Sequence, residues 1–177
     1  MNRTEIENII AEYPVYQYAF VKPEEVPFSE KVRMICKNEC ERYGKSWSCP
    51  PAVGAVEDCQ KRCHTYENGL VFSTVAEAAD TYDFSSRLAT KKEHEYITSE
   101  IESKMKKNGY CVLTLSSDSC AICEQCAYPH EKCRHPEQMH PCIESYSIVI
   151  TPLLEQLEFD YYISENLILW FSIIFFS

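Results

Sequence analysis

The pattern of hydrophobic and polar positions along the chain predicts several amphipathic helices. One is predicted to begin after Ser29, a plausible N-cap, and to run towards Cys36. Two later helices, over 56–66 and 91–107, are each followed by an Asn-Gly pair, which can adopt the left-handed backbone that ends a helix. The later of the two carries a stripe of apolar residues at helical spacing, which we assign to the core: Ile97, Ile101 and Met105.

Runs of β-branched and aromatic residues predict the strands. These are residues 16–21, 70–75, 111–115, 147–150, 159–163 and 167–176. Thr151-Pro152 supplies an N-cap and a first-turn proline for a short helix to Leu157, and Ser164-Glu165-Asn166 would join the last two strands as a hairpin. A helix followed by a strand occurs twice, which indicates helices packed on a sheet. The predicted fold class is therefore α+β, with a single mixed or mostly antiparallel sheet, packed helices and two Cys-rich metal-binding loops.

Length and composition agree with one folded domain over residues 1–177. The chain has 177 residues, of which 45% are hydrophobic and 25% charged, as in an ordinary folded protein. Its longest apolar run, 167–176, is too short to span a bilayer and is predicted to be a buried strand. The cysteine-rich loops of this domain lie at about 36–63 and 120–142.

Net charge limits the classes of partner. With 27 acidic and 17 basic residues the formal charge is −10, so phosphates of nucleic acid and anionic membranes would be repelled. We expect neither a nucleic acid nor a membrane as partner. The segment 31–62 is an exception, with seven basic and four acidic residues; its cations either stabilise thiolates or form a solvated face. Residues 1–18 lack the basic start and apolar core of a signal peptide, so we expect a cytoplasmic protein.

Cysteine is the compositional outlier. The chain has 11 cysteines, an odd number and several times the ordinary usage. In a reducing cytosol such a set is not expected to form a disulfide framework. Metal binding or redox chemistry is the expected alternative.

The clearest cysteine motif is Cys120-x2-Cys123-x2-Cys126, with Cys133 after six further residues. Three cysteines at steps of three wrap a short loop around one centre, as a ferredoxin-type segment does around an iron-sulfur cubane. Zinc loops more often use two separated pairs. We therefore predict these four as cluster ligands, with zinc, or free and buried thiols, as the alternatives.

A second motif, Cys36-x3-Cys40-x8-Cys49-Pro50-Pro51, supplies three more predicted ligands. The proline after Cys49 removes a backbone donor and stiffens the chain, as after the last cysteine of a ferredoxin segment. The fourth position is open: a vacant iron site, a thiol of the other loop, or one of three further cysteines, Cys59, Cys63 and Cys142. Cys111 falls in a predicted strand and is predicted to be a core thiol.

Other polar groups crowd the second loop. His130, His135 and His140 could each replace a thiolate as ligand, although surface positions or hydrogen bonding to a ligand are the preferred interpretation. Arg134, next to Cys133, could donate hydrogen bonds to cluster sulfur.

Together these motifs resemble a known family. The two cysteine motifs, with Cys133-Arg134-His135-Pro136 and Glu144-Ser145-Tyr146, are similar to the bacterial and archaeal family called domain of unknown function 2284, whose members are described as predicted metal-binding proteins. The resemblance runs roughly from Tyr16 to Phe176. It implies cysteine-ligated metal, of the iron-sulfur kind, in anaerobic metabolism, and implies no particular reaction. At Ser147 the family pattern leads us to expect glycine.

The leading hypothesis is a small cytosolic iron-sulfur protein with a redox or electron-relay role. It would hold one or two clusters, of the 4Fe-4S type, and its acidic surface would steer it to a basic redox partner protein. One alternative is a zinc-stabilised adaptor whose metal only helps the chain fold. Another is an iron-sulfur enzyme with an open iron site. No catalytic residue is assigned.

Overall fold

The computed structural model describes residues 3–78 and 83–177. Helices and strands follow one another in this order: α1 Arg3–Ile10, β1 Gln17–Val21, α2 Glu30–Glu39, α3 Val56–His64, β2 Asn68–Glu77, α4 Phe84–Lys107, β3 Val112–Ser116, α5 Ile150–Gln156 and β4 Leu167–Phe176. Single 3-10 turns lie at Pro23–Glu25 and Glu144–Tyr146. Within these ranges, none of the helices is long and apolar enough to cross a membrane.

The strands form one antiparallel sheet in the order β1-β2-β4-β3. Strands β2 and β4 pair over their full length, from Asn68 opposite Phe176 to Glu77 opposite Leu167. Strands β1 and β3 form the two edges and have five residues each. The predicted α+β class with an antiparallel sheet is confirmed, as is the buried strand at the end of the chain.

Helices cover both faces of this sheet. Alternate residues of a strand point to opposite faces, so Leu70 and Phe72 of β2 enter one core and Val71 enters the other. The first core lies beneath α1 and α4 and includes Ile6, Ile10, Ile97, Ile101 and Met105. The second lies beneath α3 and α5 and includes Cys59, Cys63, Tyr146, Leu153 and Phe175.

Helix α4 confirms the predicted apolar stripe. Ile97, Ile101 and Met105 are each at most 3% exposed. The helix ends at Lys107 with Asn108 as C-cap, and Gly109 has a φ of 91°, as an Asn-Gly stop requires. It begins at Phe84, earlier than predicted, because the carboxylate of Asp83 accepts a hydrogen bond from the backbone N–H of Ser86 at 2.7 Å.

Helix α2 begins where the sequence predicts. The hydroxyl of Ser29 accepts a hydrogen bond from the backbone N–H of Lys31 at 3.3 Å. The helix has no buried residue, and Met34 and Ile35 are 59% and 54% exposed. It therefore lies on the outside of the molecule, with Cys36 in its last turn and Cys40 as its C-cap.

The Asn68-Gly69 pair does not end a helix, and that prediction is wrong. Helix α3 ends at His64, and both residues of the pair belong to β2. A Cβ atom at Gly69 would lie 2.9 Å from Cγ2 of Val21 on the neighbouring strand. The absence of a side chain at Gly69 therefore allows β1 to approach closely, and the glycine does not form a left-handed turn.

Two predicted strands are absent from the described part of the chain. At 147–150 there is only an isolated bridge from Ile148 to Phe28, and α5 begins at Ile150 with Val149, not Thr151, as N-cap. Residues 159–163 form no strand because β4, their predicted hairpin partner, already pairs with β2 on one side and β3 on the other. Only Phe159 of this segment is buried.

Cys111 also differs from its prediction as a core thiol. It is exposed, directly before β3, where its backbone N–H donates to the carbonyl of Ser177 at 3.0 Å. Strand periodicity alone did not show that Cys111 lies just outside the strand, beside the exposed Ser177.

Ser147 occupies a position that suits glycine. It has a φ of 64° and a ψ of 24°, in the left-handed region, and its buried hydroxyl has no hydrogen-bond partner among the described residues. Both features cost free energy in a residue with a side chain. The glycine expected from the family pattern would avoid both.

We predict that Ser147→Gly raises the free energy of unfolding by about 1 kcal/mol, because it relieves the left-handed strain and removes an unsatisfied hydroxyl. Glu158→Gly is the matched control, since Glu158 also has a positive φ, of 56°, but is exposed. It should stabilise less, because only the backbone contribution changes. Urea denaturation followed by circular dichroism measures both, and a less stable Ser147→Gly protein would contradict this account.

Candidate metal sites

Four cysteines from three parts of the chain line one cavity, which we call the first cysteine cavity: Cys36, Cys40, Cys49 and Cys142. Helix α2 supplies the first two, in its last turn and at its C-cap. The turns between α2 and α3 supply Cys49, and Cys142 lies at the end of the second loop, at an isolated bridge to Ser116. The cavity has a volume of about 660 Å³. Cys142 thus joins the three predicted ligands of the first motif.

Three of the four thiols of the first cysteine cavity are hydrogen bonded: those of Cys36, Cys49 and Cys142. A bond with the Cys142 thiol lowers the pKa of Cys49 to about 7, against the opposing effect of burial, and raises the pKa of Cys142. The sulfur of Cys142 also accepts from the backbone N–H of Ser145 at 3.2 Å. The Cys36 thiol donates to the carbonyl of Glu144 at 3.9 Å. A donor aimed at sulfur, such as the N–H of Ser145, stabilises a thiolate, which is the form that binds metal.

The other four predicted ligands line a separate space, which we call the second cysteine cavity: Cys120, Cys123, Cys126 and Cys133. All lie in residues 117–141, a segment that contains turns and bends but no helix or strand. The second cysteine cavity is narrow, with a volume of about 20 Å³. Arg134 and His135 also line it.

Segment 46–49 of the first loop lies between the two cavities. The hydroxyl of Ser48 accepts from the backbone N–H of Cys120 at 3.0 Å and lies 3.7 Å from the sulfur of Cys49. Burial alone would raise the pKa of Cys126, yet hydrogen bonds from the backbone around Trp47 and Tyr128 and from the side chain of Ser46 lower it. One short segment therefore contacts cysteines of both sets.

Further contacts hold the second loop closed. The indole N–H of Trp47 donates to the carbonyl of Glu131 at 3.0 Å, and its ring packs edge-on against Tyr128. The guanidinium of Arg134 donates to the carbonyl of Gln125 at 2.9 Å. Arg134 thus binds a backbone carbonyl in this structure, where the sequence suggested a bond to sulfur.

The remaining candidate cysteines lie elsewhere. Cys59 and Cys63 are 0% exposed in the core beneath α3, and burial raises the pKa of Cys63 to about 12. The guanidinium of Arg62 lies 3.2 Å from the sulfur of Cys59. Neither thiol lines the first cysteine cavity, so of the three cysteines weighed for its fourth position, Cys142 is the one placed there. All 11 cysteines are unpaired.

Comparison with known proteins agrees with the motifs. Residues 19–176 match the family described as predicted metal-binding protein, domain of unknown function 2284. The chain belongs to this family. Searches of curated proteins and of solved structures return no match.

Because the family is described as metal-binding, the cysteines can be compared with the geometry that each kind of metal group needs. Among the described residues, no three or more His, Cys, Asp or Glu side chains are grouped so as to hold a single metal ion. A zinc ion needs its sulfur ligands within about 2.3 Å, whereas a cubane presents several iron atoms and accepts thiolates that lie further apart. The first cysteine cavity offers four thiols and a volume of about 660 Å³, enough space for a group of cluster size. The second has room for about one water-sized group, so a cluster there requires the loop to open.

Polar side chains on one face of α4 hold the second cysteine loop against this helix, which itself packs on the sheet. The ammonium of Lys91, which is 2% exposed, donates to the carbonyl of Ser119 at 2.7 Å, next to Cys120. The imidazole of His140 lies between Glu95 and Glu102, at 3.2 Å from a carboxylate oxygen of each. The roles of these helix residues were not predicted from the sequence. Their only signal was the recurrence of polar side chains at helical spacing, which is also typical of a solvated face.

The two carboxylates outweigh burial and raise the pKa of His140 to about 9. Since the unfolded pKa is about 6.5, charged His140 stabilises the folded state fully below that pH. This stability is lost as pH rises through about 9, and amounts to about 3 kcal/mol. The partner Glu95, whose pKa is lowered to about 2 although burial opposes it, contributes stability that is lost only as pH falls towards that value.

We predict that His140→Gln lowers the free energy of unfolding at pH 6.5 and removes the part of its pH dependence between pH 6.5 and 8.5 that comes from deprotonation of His140. His130→Gln, an exposed histidine of the same loop, should leave the profile unchanged. Denaturant titrations at a series of pH values measure it. An unaltered slope in His140→Gln would show that the two carboxylates do not hold the histidine proton.

Proposed function

We propose that this protein relays electrons through iron-sulfur clusters held at two neighbouring centres. The first centre would use Cys36, Cys40, Cys49 and Cys142, and the second would use Cys120, Cys123, Cys126 and Cys133. The observation that carries the proposal is the grouping of eight cysteines into two sets of four, each lining its own cavity. When bound, an iron-sulfur cluster can accept and release an electron; the residues of the chain hold it and set its surroundings.

A complete set of thiols favours electron relay over catalysis at an open iron. In the enzyme alternative, only three cysteines bind the cluster, and its fourth iron is open to substrate. Cys142 lines the first cysteine cavity, where it would provide a fourth protein ligand. Its hydrogen bond from the backbone N–H of Ser145 supports this role, because such bonds stabilise the anionic sulfur.

The segment between the cavities supports exchange between the centres. Ser48 contacts the sulfur of Cys49 and the backbone N–H of Cys120, so a single residue connects a ligand of each centre. Ser48 is 0% exposed. A short buried connection of this kind keeps two redox groups at a fixed separation and excludes water from the space between them.

Zinc at the second centre is a second candidate, favoured by one observation. The volume of the second cysteine cavity, about 20 Å³, is closer to the size of a single ion than to that of a cluster, although its thiols would have to move together to bind one ion. Zinc there would stabilise the loop 117–141, which has no helix or strand of its own, and the protein would be an adaptor whose metal supports folding.

The partner that we propose is a basic redox protein in the cytoplasm. The formal charge of −10 would attract a basic surface and accelerate encounter at low salt. Free thiols at all 11 positions suit a reducing compartment. The same charge argues against nucleic acid as a partner.

Anaerobic purification followed by metal and sulfide analysis tests the proposal. We expect about eight iron atoms per chain if both centres hold 4Fe-4S clusters, and visible absorption that bleaches with dithionite. Four irons with one zinc would place zinc at one centre, and variant analysis would identify which. Colourless protein that contains zinc alone would refute the electron relay.

Removal of single ligands separates the centres. Cys142→Ala should lower the iron content by about half, and Cys126→Ala should remove the metal of the other centre. Cys59→Ala is the control, because Cys59 is buried, as Cys142 is, but lies outside both cavities. Circular dichroism verifies folding of each variant. Full iron content in Cys142→Ala, with unchanged electron spin resonance after reduction, would remove Cys142 from the first centre.

A further inference from the structure

A cleft runs between α4 and the second cysteine loop, and we propose that it binds a small organic anion with an aromatic body, such as an aromatic carboxylate. We call it the α4 cleft. Its volume is about 680 Å³, within the range of small-molecule sites. Its lining includes Lys91, Lys92, Glu95, Tyr96, Cys120 and Ile122.

The apolar part of the α4 cleft is open to solvent. Tyr96 is 63% exposed and Ile122 is 43% exposed, so two large apolar side chains border the same cleft without being covered. Leu88 and Ala121 extend this surface. An aromatic ring inserted between Tyr96 and Ile122 would bury both side chains and stack on the tyrosine, which is worth more than the buried area alone.

The charges in the α4 cleft favour an anion. Lys91 and Lys92 line it, and Glu95 is the acidic residue of its lining. That carboxylate is already occupied, because it accepts from Ser116 at 2.6 Å and from His140 at 3.2 Å and pairs with Lys91 at 3.4 Å. Lys92 is exposed and its ammonium has no hydrogen bond or ion pair within the described residues. A local excess of positive charge is unusual in a chain of charge −10 and leaves an ammonium ready for a carboxylate.

The inner wall of the α4 cleft reaches Cys120. Ser119 before it is bound to buried Lys91 through its carbonyl, so this wall is held in place. A bound anion would therefore lie beside the second cysteine cavity. The binding itself depends only on Lys92, Tyr96 and Ile122, and it goes beyond the proposed electron relay.

Fluorescence titration with 1-anilinonaphthalene-8-sulfonate, an aromatic anion, tests the site on the full chain as purified. We expect one saturable site. Lys92→Gln should weaken binding by about tenfold, and Tyr96→Ala by about fivefold. Both positions are exposed, so the variants should fold. Lys107→Gln on the same helix and Tyr162→Ala, 66% exposed elsewhere, are the matched controls and should bind as the wild type does.

Competition distinguishes a true anion site from a sticky apolar surface. Benzoate should displace the probe, whereas benzamide, its neutral counterpart of similar shape, should not. Equal displacement by both, or identical binding in Lys92→Gln and Lys107→Gln, would overturn the proposal. Metal content is measured on the same samples. Loss of the anion site with intact metal, or of metal with an intact anion site, then shows which of the two proposals has failed.

Discussion

Thiols can form an ordered metal site only if the backbone that carries them is held in one conformation. Residues 117–141 contain neither helix nor strand, and the turns between α2 and α3 are equally irregular. Such segments lose conformational entropy on ordering without the regular hydrogen bonds of a helix or sheet. The buried hydroxyl of Ser48 helps to fix the conformation of both loops, since it accepts a hydrogen bond from the backbone N–H of Cys120 in one loop and contacts the sulfur of Cys49 in the other. The cysteine sets therefore depend on each other for their geometry.

Helix α4 connects this arrangement to the rest of the fold. One of its faces carries Ile97, Ile101 and Met105 into the core beneath the sheet. Its polar face reaches the second loop through Lys91 and holds His140 between two carboxylates. Buried charges of this kind are costly unless they are paired, and here each has a partner. A single helix thus packs the sheet and orders the loop, and the loop in turn forms one wall of the α4 cleft.

The fold could be predicted where the local sequence pattern is compatible with only one structure. The stripe on α4, the capping of α2 by Ser29 and the buried strand at 167–176 were all confirmed, because each depends on side chains close in sequence. The segment 159–163 shows the limit. Its composition suits a strand, but both edges of β4 are already paired, with β2 and β3, two strands that lie much earlier in the chain. Asn68-Gly69 similarly has the composition of a helix stop, yet the approach of Val21 decides its role.

The same division applies to the candidate metal sites. Spacing identified seven cysteines as predicted ligands. Five of them stand at steps of three or four residues, which bring side chains to one side of a short segment, and Cys49 and Cys133 follow in the same two loops. Sequence by itself also established the family and the cysteine-rich, acidic character of the chain. Only the tertiary structure placed Cys142, and not Cys59 or Cys63, beside Cys36, Cys40 and Cys49. The reason is physical: Cys142 reaches that cavity through a bridge to Ser116 of the sheet, and no local pattern encodes a contact made across the fold.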